Sequence, residues 1–213
     1  MAKVGGYSLV ARAVQSALRS GVIDHCVVSS DDDEILREGE LFGALPLRRD
    51  PELAQDDTST IDVVRGSLAF VNSLDDPSLL VLLQATSPFR APEDIVACVE
   101  RSSATGSAAT ICALEHPIEW TFECDQQMRI GIPKGGVPLR RQDAERRYRL
   151  AGSVYATAVD RISSGAMLVD SSTLGVVVPH HRALDIDEPM DLEVARSLAG
   201  TDWDPLGVES ARP

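Results

Sequence analysis

Aromatic residues make up only 4% of the 213-residue chain, and there are four cysteines. No apolar run approaches the ~18 residues that a membrane-spanning helix requires, and the N-terminus lacks the apolar core of a secretory signal. Basic side chains are also scarce: 20 Lys and Arg face 33 Asp and Glu, a formal net charge of −13. Such a surface repels phosphate backbones and anionic lipid, so neither nucleic acid nor a membrane is an expected partner. An anionic ligand would need local basic groups or a metal to reverse the field at its site. Cys26, Cys98, Cys112 and Cys124 form no CxxC pair and have no histidine at metal-ligand spacing. Three of them fall in apolar stretches and read as buried thiols, which suits a reduced, cytoplasmic protein. What is present, 44% apolar and 25% charged residues, is the balance of a folded domain.

The apolar pattern alternates in kind along the chain. Leu9, Val10, Ala13, Val14, Ala17 and Leu18 share one face of a helix over 8–19, which Gly21 ends. A short strand, Cys26 to Ser29, leads into Asp31-Asp32-Asp33-Glu34, carboxylates suited to the positive end of a second helix. Ile61, Val64, Leu68 and Val71 are in helical register within 60–74, and Leu79–Leu83 is uninterrupted, as in a strand buried on both faces of a parallel sheet. A helix over 93–102, strands at 108–114, 152–158 and 174–178, and a last helix after Pro189 complete the series. This is an α/β pattern: three layers around a mainly parallel sheet, in a single domain over 1–200. Residues 115–150 break the rhythm with Gly131, Gly135, Gly136, Pro133, Pro138 and the basic cluster Arg140, Arg141, Arg146, Arg147 and Arg149, and read as a lid or dimerisation arm. Residues 201–213 read as a frayed tail.

Ligands of open α/β sheets bind beyond the carboxyl ends of the strands, and three polar clusters fall there. Gln84-Ala85-Thr86-Ser87-Pro88-Phe89-Arg90 follows the most apolar strand and suits an oxygen-rich ligand, or is an ordinary capped turn. Arg140-Arg141-Gln142-Asp143, then Tyr148-Arg149, offers guanidinium pairs for carboxylate or phosphate, or is a solvated charge run. Asp185-Ile186-Asp187 places two carboxylates at i and i+2, on one side of an extended segment, a compact pair for Mg²⁺. The alternative there is that Asp187 caps the following helix. Asp31 to Asp33 reads as a cap. Of the histidines, His116 precedes Pro117 in a loop-like stretch that could meet ligand, and His180-His181 reads as surface.

Together these clusters resemble the CMP-sialic acid synthetases, the acylneuraminate and other nonulosonic acid cytidylyltransferases, from about Val4 to Leu198. The segments VVSSDDDEI, RRDPELAQDDTSTIDVV, LLQATSPFR, EHP, RRQD, YRLAGSVY and DIDEPMDL occur in the family's order and approximate spacing. The resemblance implies a nucleotide-diphospho-sugar transferase fold of Rossmann-like type. It also implies a reaction in which the anomeric hydroxyl of a nine-carbon α-keto acid sugar attacks the α-phosphorus of CTP and pyrophosphate leaves. On that reading Asp185 and Asp187 hold Mg²⁺ and, with Arg141, form the catalytic group. Gln84, Thr86, Gln142, Arg149 and Tyr155 meet the sugar, and Arg49, Thr58, Ser59 and Thr60 hold the cytidine. A cytoplasmic homodimer using the 115–150 arm is implied as well.

Two kinds of departure accompany the resemblance. Family members begin with a strand and a phosphate-cradling segment of the type IPARGGSKGIPGKN, and this sequence aligns from just downstream, about 20 residues later. The expectation is therefore an incomplete N-terminus, with a mid-sheet strand absent and its neighbours' edges unpaired. Ala151 stands where the family has Asn in its NGA motif, and Glu119 where a basic residue is common. The leading reading is a cytidylyltransferase. The alternatives are a truncated pseudoenzyme serving as a sugar-binding or partner subunit, and a pyrophosphorylase for another base or sugar.

Overall fold

The computed structural model describes residues 1–55, 57–75, 77–132, 136, 140, 142 and 144–207. A small hairpin, β1 (Lys3–Val4) with β2 (Tyr7–Ser8), leads into α1 (Leu9–Ser20). Ser8 caps that helix, its hydroxyl accepting from the Ala11 amide at 3.0 Å, and Gly21 closes it in the left-handed conformation with φ +68°. Ala11, Val14 and Ala17 are buried, whereas Leu18, assigned above to the same face, is exposed. The parallel pair β3 (Val27–Ser30) and β4 (Leu45–Arg48) flanks α2 (Asp33–Leu41), whose N-cap is Asp32, accepting from the Glu34 amide.

The main sheet has four strands in the order β5–β7–β6–β8: β5 (Leu79–Leu83), β6 (Ser107–Ala113), β7 (Tyr148–Ala158) and β8 (Leu174–Val177). β6 and β8 pair in parallel, and β7 runs antiparallel to both of its neighbours, so β5, β6 and β8 point one way. β5 is therefore not the interior parallel strand its apolar run suggested. Its sole ladder among the described residues is the antiparallel one to β7, and no backbone ladder joins it to the β3–β4 pair.

Helices nevertheless cover both faces of β5, which accounts for the run. Leu79, Val81 and Leu83 pack with Ile95 and Cys98 of α4 (Pro92–Ser102) over Ala108, Val154 and Ala156. Leu80 and Leu82 pack on the opposite face, against Ile61 and Val64 of α3 (Thr60–Val71) and Ile162 of α5 (Val159–Ser163). This alternation by single residues is the pleat of a strand between two helical layers. α6 (Pro189–Leu198) closes a third cluster, with Ala195 against Val4 and Phe89.

The chain end is not frayed as far as it is described. Residues 201–207 fold back, so that Asp204 and Leu206 are buried. The Asp204 carboxylate pairs with the buried Arg12 guanidinium, and Arg12 Nε also donates to the Pro88 carbonyl at 2.9 Å. One arginine thus fastens the chain end to the loop leaving β5. The 115–150 excursion also ends earlier than expected: Tyr148, Arg149 and Leu150 already belong to β7, and the Leu114 amide meets the Arg147 carbonyl at 2.9 Å. Of the cysteines, all free, Cys98 and Cys112 are buried, Cys26 is half-buried and Cys124 is exposed. Burial alone pushes the Cys26 thiol up to about 11.

Candidate active site

The site begins with a distortion of β7. Its pairing to β6 runs through Ala109↔Tyr155 and resumes at Ile111↔Leu150, leaving Thr110 opposite Ala151–Val154. Thr110 fills the break, its hydroxyl accepting from the Val154 amide at 3.1 Å and lying 2.9 Å from Ser153 Oγ. Within this bulge Gly152 takes φ +80°, a region that disfavours any residue with a Cβ. A methyl on its Cα would lie 3.2 Å from Gln84 Oε1, 3.4 Å from Asp185 Oδ2 and 3.8 Å from Ser87 Oγ. The bare Cα is the floor of a polar cradle with these three side chains as its walls.

Each wall is held from behind. Gln84 and Ser87 belong to the turn at the carboxyl end of β5, closed by the Ser87 amide on the Gln84 carbonyl at 3.2 Å. Arg90 is wholly buried and faces no solvent, contrary to a ligand-facing reading of its guanidinium. Its Nε donates to the Ser153 carbonyl at 2.7 Å and its Nη2 to the Gln84 carbonyl, binding turn to bulge. Desolvation lowers its pKa to about 10, with Asp94 and Asp185 opposing, so it remains a cation at neutral pH close to the Asp185 carboxylate. Asp185 is positioned by the next residue, since the Ile186 amide donates to the Thr86 carbonyl at 3.0 Å. Thr86 thus serves the site through its backbone.

On two of the three walling side chains a polar atom, Asp185 Oδ1 and Ser87 Oγ, is buried without any hydrogen-bond partner. Leaving such groups unpaired costs about 1–3 kcal/mol each, a cost that a ligand would relieve. Tyr155 faces the same carboxylate: burial first, then the Asp185 charge, raise its pKa, keeping the phenol a neutral donor. At the rim, Arg149 donates through Nη1 to the Leu150 carbonyl at 3.0 Å and through Nη2 to the Ala183 carbonyl at 3.3 Å, bridging β7 to the segment that carries Asp185. Asp187 is exposed and does not cap α6. Glu188 is the N-cap residue, and Asp191 Oδ2 receives the Asp187 and Glu188 amides at 3.1 and 2.8 Å.

The structure thus brings together Gln84, Tyr155, Asp185 and the Thr86 backbone, with Arg149 alongside. Ser87, Gly152 and Arg90 join them, and a glycine inside a strand pattern was the available signal for the bulge. The other expected residues stand apart. Arg141 lies outside the described residues, and Gln142 is exposed. Arg49 turns back on β3, its Nη2 donating to the Ser29 carbonyl at 2.8 Å. Ser59 caps α3, accepting from the Asp62 amide at 3.3 Å, and Thr58 Oγ1 reaches the Glu52 carbonyl at 3.5 Å. Thr60 is exposed at the start of α3. Among the described residues no hydrogen bond or ion pair links this group to the cradle. His116 stacks on Trp120 with ring centroids 6.0 Å apart. Ala151 is buried with Cys112, Val178 and Ala183, and Glu119 pairs with Arg147 at 3.3 Å.

The chain is 28% identical over 199 residues to a pseudaminic acid cytidylyltransferase of Campylobacter jejuni, covering 91% of this chain and 85% of that one. It is also 28% identical over 200 residues to a CMP-N,N'-diacetyllegionaminic acid synthase of Legionella pneumophila, covering 92% and 86%. In fold it is similar to a CMP:2-keto-3-deoxy-manno-octonic acid synthetase solved with CTP, with a TM-score of 0.62 at 16% identity, covering 92% of this chain and 89% of that one. The profile of the family described as "Cytidylyltransferase" matches residues 1–129, more than half of the sequence and including the Gln84–Ser87 turn. The chain belongs to the cytidylyltransferase family of nucleotidyltransferase enzymes.

Proposed function

We propose that this chain transfers the cytidylyl group of CTP to the anomeric hydroxyl of a nonulosonic acid such as N-acetylneuraminate, giving the CMP-sugar and pyrophosphate. One observation carries the assignment of the site: Asp185, whose Oδ1 is buried without a hydrogen-bond partner, sets its Oδ2 at a cradle whose other walls are an amide and a hydroxyl, floored by a bare Cα. In the reaction the sugar's anomeric oxygen bonds to the α-phosphorus and gives up its proton to solvent, as the bond from that phosphorus to the bridging oxygen breaks and pyrophosphate leaves with the electron pair. Gln84 and Tyr155 hold sugar oxygens through amide and phenol hydrogen bonds. Arg149 and Arg141 are assigned to the sugar carboxylate, with Thr86 and Gln142 beside it. Arg49, Thr58, Ser59 and Thr60 are assigned to the cytidine, where Arg49 and Ser59 now make local hydrogen bonds that binding would exchange.

Asp185 and Asp187 fit a Mg²⁺ ion: one carboxylate has a free buried oxygen and the other is exposed at i+2. Among the described residues no group of three or more His, Cys, Asp and Glu could hold a metal, so water and substrate oxygens would supply the remaining ligands. Bound there, Mg²⁺ supplies charge neutralisation at the transferred phosphate. The protein's own part is to fix the sugar oxygen in line and to exclude water from the cradle.

We also propose a cytoplasmic homodimer. The dimer's support is that five large apolar side chains of the excursion, Ile118, Phe122, Met128, Ile130 and Ile132, are exposed. Sedimentation at several protein concentrations tests it. The activity is tested by pyrophosphate release from CTP, UTP and ATP, each with Mg²⁺ and N-acetylneuraminate. Release with CTP alone of the three supports the reading, and release with none of them, or equally with all, contradicts it.

A further inference from the structure

Ser87 has no duty in the fold that its hydroxyl performs. The residue is about 1% exposed, its amide closes the turn on Gln84, and its neighbours Pro88 and Phe89 are equally buried, yet its Oγ has no hydrogen-bond partner. Alanine would pack the same space without a hydroxyl to desolvate, so stability alone argues against serine at this position. The hydroxyl lies 3.8 Å from the point where a Gly152 Cβ would stand, and Gln84 Oε1 lies 3.2 Å from that point. The bare Gly152 Cα and an unpaired hydroxyl therefore lie side by side at the Gln84 turn, with Asp185 Oδ2 3.4 Å from the same point.

We infer that Ser87 is a substrate-binding residue, its hydroxyl pairing with an oxygen of the sugar acid that rests on the bare Cα of Gly152. This rests on the transferase reading above and adds the residue that reads the sugar end. Serine can both donate and accept, so it suits a hydroxyl or a carboxylate oxygen of a polyhydroxy acid. The nucleotide is not the partner: the residues assigned to cytidine lie on the β4–α3 connection, whereas Ser87 shares its turn with Gln84. Gly152 acts by absence, since a methyl there would occupy the seat of the sugar oxygen.

The test measures kinetics and melting temperature for wild type, Ser87→Ala and Gly152→Ala, with CTP and N-acetylneuraminate varied in turn. For Ser87→Ala the expected results are a KM for the sugar acid raised about tenfold, a KM for CTP within twofold of wild type, and a melting temperature unchanged or higher. A merely structural serine would not combine unimpaired stability with a defect confined to one substrate. Gly152→Ala is expected to raise the same KM by at least as much, and CTP-induced thermal stabilisation confirms that it has folded. An unchanged sugar KM in Ser87→Ala, or a rise in the KM for CTP instead, overturns the assignment while leaving the transferase reading standing. Failure of the wild type to bind or turn over CTP overturns both.

Discussion

The cradle and the β4–α3 connection were both expected to touch substrate, and the structure treats their polar side chains in opposite ways. In the cradle, half-buried and buried side chains hold polar atoms that are short of partners: Asp185 Oδ1 and Ser87 Oγ have none. In the connection, side chains are more exposed and already employed, Ser59 on the Asp62 amide, Arg49 on the Ser29 carbonyl and Thr58 at the Glu52 carbonyl. The first arrangement is preorganised, holding unpaired groups on the ends of strands where rigid neighbours keep them. The second is adaptable, because each local bond it makes is one that ligand could replace at small net cost. Transferring a nucleotidyl group demands close placement of the attacking oxygen, whereas holding a base tolerates adjustment, and the proposed assignment of the two regions accords with that demand.

Removing the unpaired carboxylate should have the largest effect. Asp185→Asn is expected to lower kcat at least about a hundredfold, as loss of a preorganised charged group does, while the melting temperature holds or rises. Loss of activity with loss of fold would remove the contrast between the two regions. Next comes the buried brace: Arg90→Met should cost about 2–5 kcal/mol of stability in denaturant unfolding, because the Gln84 and Ser153 carbonyls lose their donor and Asp94 and Asp185 lose a nearby cation. In the adaptable region, Ser59→Ala should cost only about 1 kcal/mol through the lost helix cap. Its catalytic effect is expected in KM for CTP and not in kcat.

The smallest effect is a pH dependence at the alkaline edge. Tyr155 has its pKa raised above 10 by burial and by Asp185, so the folded state holds its proton longer than the unfolded chain. Its contribution to stability is therefore complete below about 10 and is lost as pH rises from there through the folded value. Tyr155→Phe should flatten that decline in pH-dependent unfolding, and a decline of equal slope in the variant would place its source elsewhere.

Local pattern located most elements, and the misses have physical reasons. Leu79–Leu83 reported two covered faces correctly, because each side chain meets a helix layer, but an apolar run carries no information on the direction of its neighbour. β4 went unread because Pro46 interrupts an exposed four-residue edge strand. Tyr148 to Leu150 were placed in the excursion because they are exposed and follow an arginine-rich stretch, although the ladder to β6 already includes them. At the site, Gln84 and Asp185 were legible from residue type and position beyond the strand ends, and Tyr155 only from the resemblance to the family. Arg90 was not, since its burial depends on a bulge 63 residues away that supplies the Ser153 carbonyl. The tail was misjudged for a similar reason: Arg12 and Asp204 meet across 192 residues of sequence, and no periodicity records such a pair.

The most direct test of the cradle as the transfer site is a thermal-shift titration of wild type and Asp185→Asn with CTP, with and without Mg²⁺. Ligand that binds only the folded state raises the melting temperature by mass action. The expected result is a rise in the wild type that requires Mg²⁺ and is absent from Asp185→Asn. Equal, metal-independent rises in both proteins would contradict the account, placing the nucleotide and its metal away from Asp185.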